Sequence, residues 1–248
     1  MPETLIILPT YNEAQSLPRL ISQLRAAVPD AAILVVDDGS PDGTGDIADA
    51  LRHRYLDLHV LHRAGREGLG AAYRAGYAWA LDRGFDTLVQ MDADGSHQPT
   101  DLPRLLAAAR HHDVVIGSRW VRGGAAVHWP AKRMLLSRAG SSYAHVMLGL
   151  PFKDITGGFR VFSAHALRAI DAASVDSKGY CFQIEMLMRA NDATLSIAEV
   201  PITFVDREFG ESKMSSGIVR EALLAVTSWG MQRRLVGPPR PVPVEVSH

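Results

Sequence analysis

Two short runs of carboxylates, each closing an apolar stretch, are the residues best placed to do chemistry in this 248-residue chain. The first, Asp37-Asp38, follows Ile33 to Val36 and opens the loop Gly39-Ser40-Pro41-Asp42-Gly43-Thr44. The second, Asp92-Ala93-Asp94, follows Thr87 to Met91. An apolar run bounded by turn residues predicts a strand buried on both faces. Open α/β sheets bind ligands beyond the carboxyl ends of such strands. Two carboxylates one residue apart can share a hard dication whose remaining ligands are phosphate oxygens, the arrangement magnesium favours. Asp37-Asp38 can hold a ribose hydroxyl or a base edge, as an acidic residue does in dinucleotide folds. Together the two runs predict a metal and a nucleotide in one site.

The elements that must position these acids follow from hydrophobic period. Thr4 to Leu8 predicts a strand. Leu17, Leu20, Ile21, Leu24 and Val28 predict a helix with Ser16 as N-cap and Pro18 in its first turn. The order continues with a strand at Ile33, a helix from Thr44 to Tyr55, a strand from Leu58 to Leu61 and a helix from Ala71 to Leu81. The strand at Thr87, a helix from Asp101 to Arg110 and a strand from Val114 to Gly117 follow. This alternation predicts an α/β fold: right-handed crossovers and a Rossmann-like, mostly parallel sheet flanked by helices. Beyond Gly117 the pattern weakens, with helices expected over 134–148, 182–190 and 217–235 and strands over 159–162 and 197–205. Pro201 marks the last strand as an edge or a bulge. One domain over residues 1–235 is expected, its segment 216–235 an amphipathic helix, followed by a disordered Pro-rich tail over 236–248.

Bulk properties narrow the function classes. A 47% hydrophobic and 21% charged composition is that of a folded globular protein. Cys181 is the single cysteine, so an internal disulfide is excluded and a reducing compartment fits. The N-terminus reads as a strand and not a signal peptide, and no stretch is long enough to span a bilayer. A cytoplasmic protein, soluble or peripheral, is expected. The net charge of −1 hides an asymmetry. Between Val114 and Lys153 there is no acid, while Arg119, Arg122, Lys132, Arg133, Arg138 and Lys153 are cationic and Trp120 and Trp129 lie among them. That segment is either a solvated basic face or a surface for phosphates or an anionic leaflet. Nucleic acid is excluded as partner, because the rest of the chain would repel a long polyanion. No P-loop is present, and Gly68-Leu69-Gly70 fails as a dinucleotide fingerprint because Tyr73 occupies the third small position. No G-x-S-x-G is present.

Taken as a group, Leu8-Pro9-Thr10-Tyr11-Asn12-Glu13, the loop after Val36 and Asp92-Ala93-Asp94 resemble glycosyltransferase family 2, with its GT-A fold. Gly117-Ser118-Arg119, Asp154-Ile155-Thr156-Gly157-Gly158-Phe159-Arg160 and Gly179-Tyr180-Cys181-Phe182-Gln183-Ile184-Glu185, with Arg207 and Lys213, resemble the dolichol-phosphate mannose synthases and their bacterial polyprenol counterparts. The resemblance covers residues 4 to 230. It implies transfer of mannose from GDP-mannose to a polyprenyl phosphate with inversion, assisted by Mg2+ or Mn2+. It places Pro9, Tyr11, Glu13, Val36 and Asp38 around the nucleoside, and Asp92, Ala93 and Asp94 at the diphosphate. Asp92, Asp94 and Ser96, which stands where some members have Gln, are the metal candidates. Arg119, Arg207 and Lys213 would meet the donor diphosphate, and Arg119, Arg133 and Arg160 the acceptor phosphate. The implied catalytic set is Asp94, Arg119, Arg160 and Lys213. Peripheral attachment to the cytoplasmic membrane surface, with an integral-membrane partner, is a further implication. Segment 216–235 either lies in the headgroup plane or completes the core. Two rival readings stay open: a UDP-glucose-dependent polyprenyl-phosphate glucosyltransferase, and a nucleotide-sugar-binding module without turnover.

Overall fold

A computed structural model describes residues 3–177, 179–206 and 216–236. Nine strands and eight α-helices are seen among them. The first half alternates as expected: β1 (Thr4–Thr10), α1 (Leu17–Ala27), β2 (Ala32–Asp37), α2 (Thr44–Arg54), β3 (Leu58–His62), α3 (Leu69–Leu81), β4 (Thr87–Gln90), α4 (Leu102–Ala109) and β5 (Val114–Ser118). The second half adds β6 (Ala125–Val127), α5 (Ala131–Leu148), β7 (Arg160–Ser163), α6 (Ala164–Ala169), α7 (Gly179–Asp192), β8 (Ile197–Pro201), β9 (Thr203–Val205) and α8 (Ser216–Val236).

Seven strands form one sheet in the order β3-β2-β1-β4-β7-β5-β8. The chain leaves β1 for β2 and β3 on one side, then crosses to β4 on the other. That reversal is a topological switch point, where the loops beyond two neighbouring strands diverge and leave a crevice. Thr10 pairs with Asp37 and Ile7 with Gln90, so both acid-bearing loops emerge beside the end of β1. β7 runs antiparallel between β4 and β5, and all other neighbours in this sheet are parallel. Alternate residues of the same strands enter opposite cores. Leu5, Ile7, Leu34 and Val36 pack under α3, α6 and α7 with Tyr73, Tyr77 and Phe182. Ile6, Leu8, Ile33 and Val35 pack under α1, α2 and α4 with Leu20, Ile21 and Leu105. The close seating of α3 explains a glycine inside that helix: a β-carbon at Gly76 would stand 2.7 Å from Ile7 Cγ2.

Two local expectations need correction. Ser16 is not an N-cap acceptor; its hydroxyl donates to the Glu13 carboxylate at 2.7 Å, and its backbone is already helical. The strand expected over 197–205 is two strands in two sheets. Pairing passes from β5 to β6 at Ile202, whose N–H donates to Ser118 O while its carbonyl accepts from Ala125 N. Pro201 does end an edge strand, as its missing N–H requires. Of the two readings of α8, the structure bears out that it completes the core. Val226 and Trp229 join Ala144 and Leu148 of α5 in a third core cluster, while Leu223, Leu224, Met231 and Leu235 face outward. Among the described residues no helix is long and apolar enough to cross a membrane. The tail over 237–248 lies outside the described residues.

Candidate active site

The loop after β2 is held by its own acids. Asp37 accepts from Thr10 Oγ1 at 3.0 Å, from Ser40 N at 3.1 Å and from Ser40 Oγ at 2.6 Å. Three successive backbone N–H groups beyond β1 donate into the same loop: Asn12 to Ser40 Oγ, Glu13 to Thr44 Oγ1 and Ala14 to Asp42 Oδ2. Much of the Asp37–Thr44 motif therefore stitches two loops together, which gives its polar residues a structural reason. Asp38 remains for a ligand but is not alone: Arg63, just beyond β3, donates to it and also pairs with Glu67. Burial raises the Asp38 carboxyl above the usual range, against the lowering pull of Arg63. The sequence reading missed Arg63, although it follows a third strand end on the same side of the sheet. Tyr11 lies beneath the Arg66 guanidinium, 4.5 Å from its ring centre. Pro9 and Glu13 are half-buried at the same edge. Val36 is wholly buried, with its side chain in the core beside Leu34.

The second acid pair is arranged more tightly. Asp94 accepts from both Ser96 N (3.0 Å) and Ser96 Oγ (2.6 Å) across the turn at Gly95, whose φ of +79° suits a glycine. Ser96 is buried and its hydroxyl donates to that carboxylate, so it orients Asp94. Ala93 packs in the core and can offer only backbone. Asp92 accepts from the Tyr73 hydroxyl at 3.3 Å. Burial, then the Asp92 charge, pushes the Tyr73 phenol well above its normal pKa, so it stays a neutral donor.

His97 was not singled out in the sequence, yet it is central here. The Asp92 N–H donates to its Nδ1 at 3.0 Å, and its ring stacks on Phe159 at 4.8 Å. Burial lowers its pKa below 6.5 despite the pull of Asp92 and Asp94. The sign follows directly: folding selects the neutral ring, so its contribution to stability is full above pH 6.5. It is lost as pH falls from that value through the lower folded one. The rise in urea midpoint between about pH 5 and 7 is therefore smaller in His97→Gln than in wild type.

Arg119 is locked by a residue the sequence reading quoted without assigning a role. Asp154, wholly buried, accepts from Arg119 Nε (2.8 Å), Nη2 (2.6 Å) and N (2.8 Å). The guanidinium also lies 5.2–5.4 Å from the ring centres of Trp120, Trp129 and Phe204. Arg133 pairs with Asp206 and stacks on Trp129. The two tryptophans are thus rails for arginines, and the acid-free segment finds its counter-charges beyond its own ends. Arg122, Lys132, Arg138 and Lys153 are its exposed cations. Trp120, Arg138, Ser141, Ser142 and Lys153 line an open groove of about 430 Å³. Arg160 requires a correction. Its guanidinium is wholly buried and donates to the carbonyls of Gly157, Gln183 and Ile155 at 2.7–2.9 Å. It can neither meet an acceptor phosphate nor take part in chemistry directly; it shapes the Gly157-Gly158 turn. Arg207 and Lys213 lie outside the described residues.

Comparison with known proteins decides among families carrying such acid-tipped sheets. The family model described as glycosyl transferase family 2 matches residues 5–171. The chain belongs to glycosyl transferase family 2. An undecaprenyl-phosphate mannosyltransferase from Micrococcus luteus is 57% identical over 94% of this chain and 96% of its own length. A polyprenol monophosphomannose synthase from Mycolicibacterium smegmatis is 50% identical over 94% of this chain and 88% of its own. Among solved structures, glucosyl-3-phosphoglycerate synthase from Mycobacterium tuberculosis, in complex with Mn2+, UDP-glucose and phosphoglyceric acid, superposes with a TM-score of 0.64. Identity there is 19%, covering 92% of this chain and 80% of that one, a likeness of fold. The expected GT-A architecture stands.

In this family 2 glycosyltransferase the two acid pairs flank β1 at the switch point. Among the described residues no group of three or more His, Cys, Asp or Glu is placed to hold a metal. What the chain offers is the hard-oxygen pair Asp92 and Asp94, a donor set that fits a dication completed by phosphate oxygens and water.

Proposed function

We propose that this chain transfers a mannosyl group from GDP-mannose to a polyprenyl phosphate, with inversion at the anomeric carbon. The observation that carries this reading is the identity of 57% and 50%, over nearly the whole chain, to two enzymes named for mannosyl transfer to such lipids. The site is consistent with the chemistry. A phosphate monoester is largely ionised at neutral pH, its second pKa being about 6, so the acceptor needs no general base. The difficulty is to bring two anions together. Asp92 and Asp94 would hold Mg2+ or Mn2+, which when bound neutralises the departing diphosphate. Ser96 and Tyr73 keep those carboxylates oriented. Asp38, beside Val36 at the end of β2, would receive the nucleoside, and Arg119, held by Asp154, adds fixed positive charge. Attack from the face opposite the nucleotide converts an α-linked donor to a β-linked product without a covalent glycosyl-enzyme.

The acceptor's prenyl chain would approach from the α5 and α8 side. There the groove with Arg138 and Lys153 adjoins the exposed Leu135, Leu136 and Val146 of α5, and α8 exposes a further apolar stripe. Basic and apolar residues together suit peripheral attachment to an anionic leaflet. Removing α8 would open the third core, so point changes are the cleaner probe. Leu224→Gln with Met231→Gln leaves the melting temperature unchanged and weakens partitioning onto anionic vesicles roughly tenfold or more. Equal partitioning of variant and wild type would remove α8 from the contact.

The deciding experiment incubates the enzyme with radiolabelled GDP-mannose, a polyprenyl phosphate and magnesium, then extracts the lipid. Label enters the lipid, and UDP-glucose serves far less well as donor. Donor binding without product would favour the non-catalytic module, and faster turnover of UDP-glucose the rival transferase.

A further inference from the structure

Gln183, on the second turn of α7, is almost wholly buried, and both ends of its side-chain amide lack a hydrogen-bond partner. A buried amide left unsatisfied is uncommon and costly, and it points to a group that belongs there. Its surroundings indicate which. A β-carbon built at Gly158 would stand 3.7 Å from Gln183 Nε2, 3.7 Å from His97 Cε1 and 3.8 Å from Asp92 Oδ2. These are ordinary contacts, and the φ of Gly158 is not in the left-handed region, so neither sterics nor backbone demands glycine there. What glycine leaves is a space about one methyl group in size, room for a hydroxyl, bounded by an amide, an imidazole edge and a carboxylate. Arg160 fixes two sides of that gap through Gly157 O and Gln183 O.

We propose that Gln183 and Gly158 form the subsite for the hydroxyls of the transferred hexose, the amide giving one hydrogen bond and accepting another. An amide carries both donor and acceptor, which matches neighbouring sugar hydroxyls better than a carboxylate or an ammonium does. The gap's position beside Asp92 puts it next to the diphosphate end of the donor, where the sugar must lie. Hydrogen bonding of this kind, made in a dry pocket, discriminates strongly against a ligand that lacks its partner group. Gln183 would act as a specificity residue, and Gly158 as the space it needs. The inference rests on the mannosyl-transfer reading above, and its test is arranged to fail separately.

Titration calorimetry of GDP and GDP-mannose against wild type, Gln183→Met and Gly158→Ala provides that test, with melting temperature as the control. Gln183→Met is expected to bind GDP as tightly as wild type and GDP-mannose roughly tenfold less tightly, since two hydrogen bonds are lost. Its melting temperature should not fall, because the change removes an unsatisfied amide and not a satisfied one. Gly158→Ala should reproduce the loss by filling the gap. GDP-mannose affinity unchanged in both variants would overturn the inference and leave a trapped water as the amide's partner. Equal weakening of GDP and GDP-mannose would also overturn it, by making Gln183 a support of the nucleotide site. Labelling of lipid by the wild-type enzyme is scored in parallel: if none is seen, the transfer reading fails whatever the binding arms show.

Discussion

Asp94→Ala loses on the order of 10³-fold in kcat/KM while its far-ultraviolet spectrum stays that of wild type. The side chain stands at the end of β4 with Ser96 donating to it twice, so it is oriented before any ligand arrives. Its removal strips one of the two hard-oxygen donors proposed to hold the dication. The structural price is small by comparison. Ser96 loses an acceptor in a buried turn, an effect of about 1–3 kcal/mol against a total stability of about 5–15 kcal/mol. Asp94→Asn separates charge from geometry, because the amide oxygen can still accept from Ser96. It is expected to lose nearly as much activity as Asp94→Ala. Near-normal turnover by either variant, with the melting temperature preserved, would overturn the assignment of this pair to the metal and diphosphate.

The features legible in the sequence were those written locally. Runs such as Ile33 to Val36 carry the strand signal, and the acids that close them mark the carboxyl edge of the sheet, so the site's position followed from short-range pattern. The rest depends on partners distant in the chain. Arg119 finds Asp154 35 positions on, and Arg133 finds Asp206 73 positions on. A count of charge over residues 114–153 therefore showed a basic surface where two of six cations are held in ion pairs with acids beyond it. Arg160 was placed at the acceptor phosphate by resemblance alone; only the fold shows three carbonyls converging on it. The break at Ile202 was equally hidden, since both halves of 197–205 have strand-forming residues and only the change of partner divides them. His97 had no motif spacing to draw notice, and Gln183 stood in a quoted motif without a role of its own. Their signal is burial without the usual apolar chemistry, which no linear pattern carries.

Asp154→Ala is expected to destabilise the protein by about 3–5 kcal/mol, the effect of leaving a buried cation without its partner. Arg119 is 7% exposed and Asp154 not at all, and the pair makes a forked contact reinforced by the Arg119 backbone N–H. The surrounding rings of Trp120, Trp129 and Phe204 attract the guanidinium but cannot replace a carboxylate. Against about 5–15 kcal/mol of total stability, such a loss lowers the urea midpoint steeply. Activity should fall as well, because an unanchored Arg119 no longer presents a fixed charge. A double variant, Arg119→Met with Asp154→Leu, distinguishes the two roles. Replacing a buried ion pair by apolar side chains of similar volume is often neutral in stability, so the midpoint recovers most of its loss. Turnover does not recover, since the cation is gone. If the double variant regained activity together with stability, Arg119 would belong to the scaffold alone, and the positive charge facing the two anions would have to come from elsewhere in the chain.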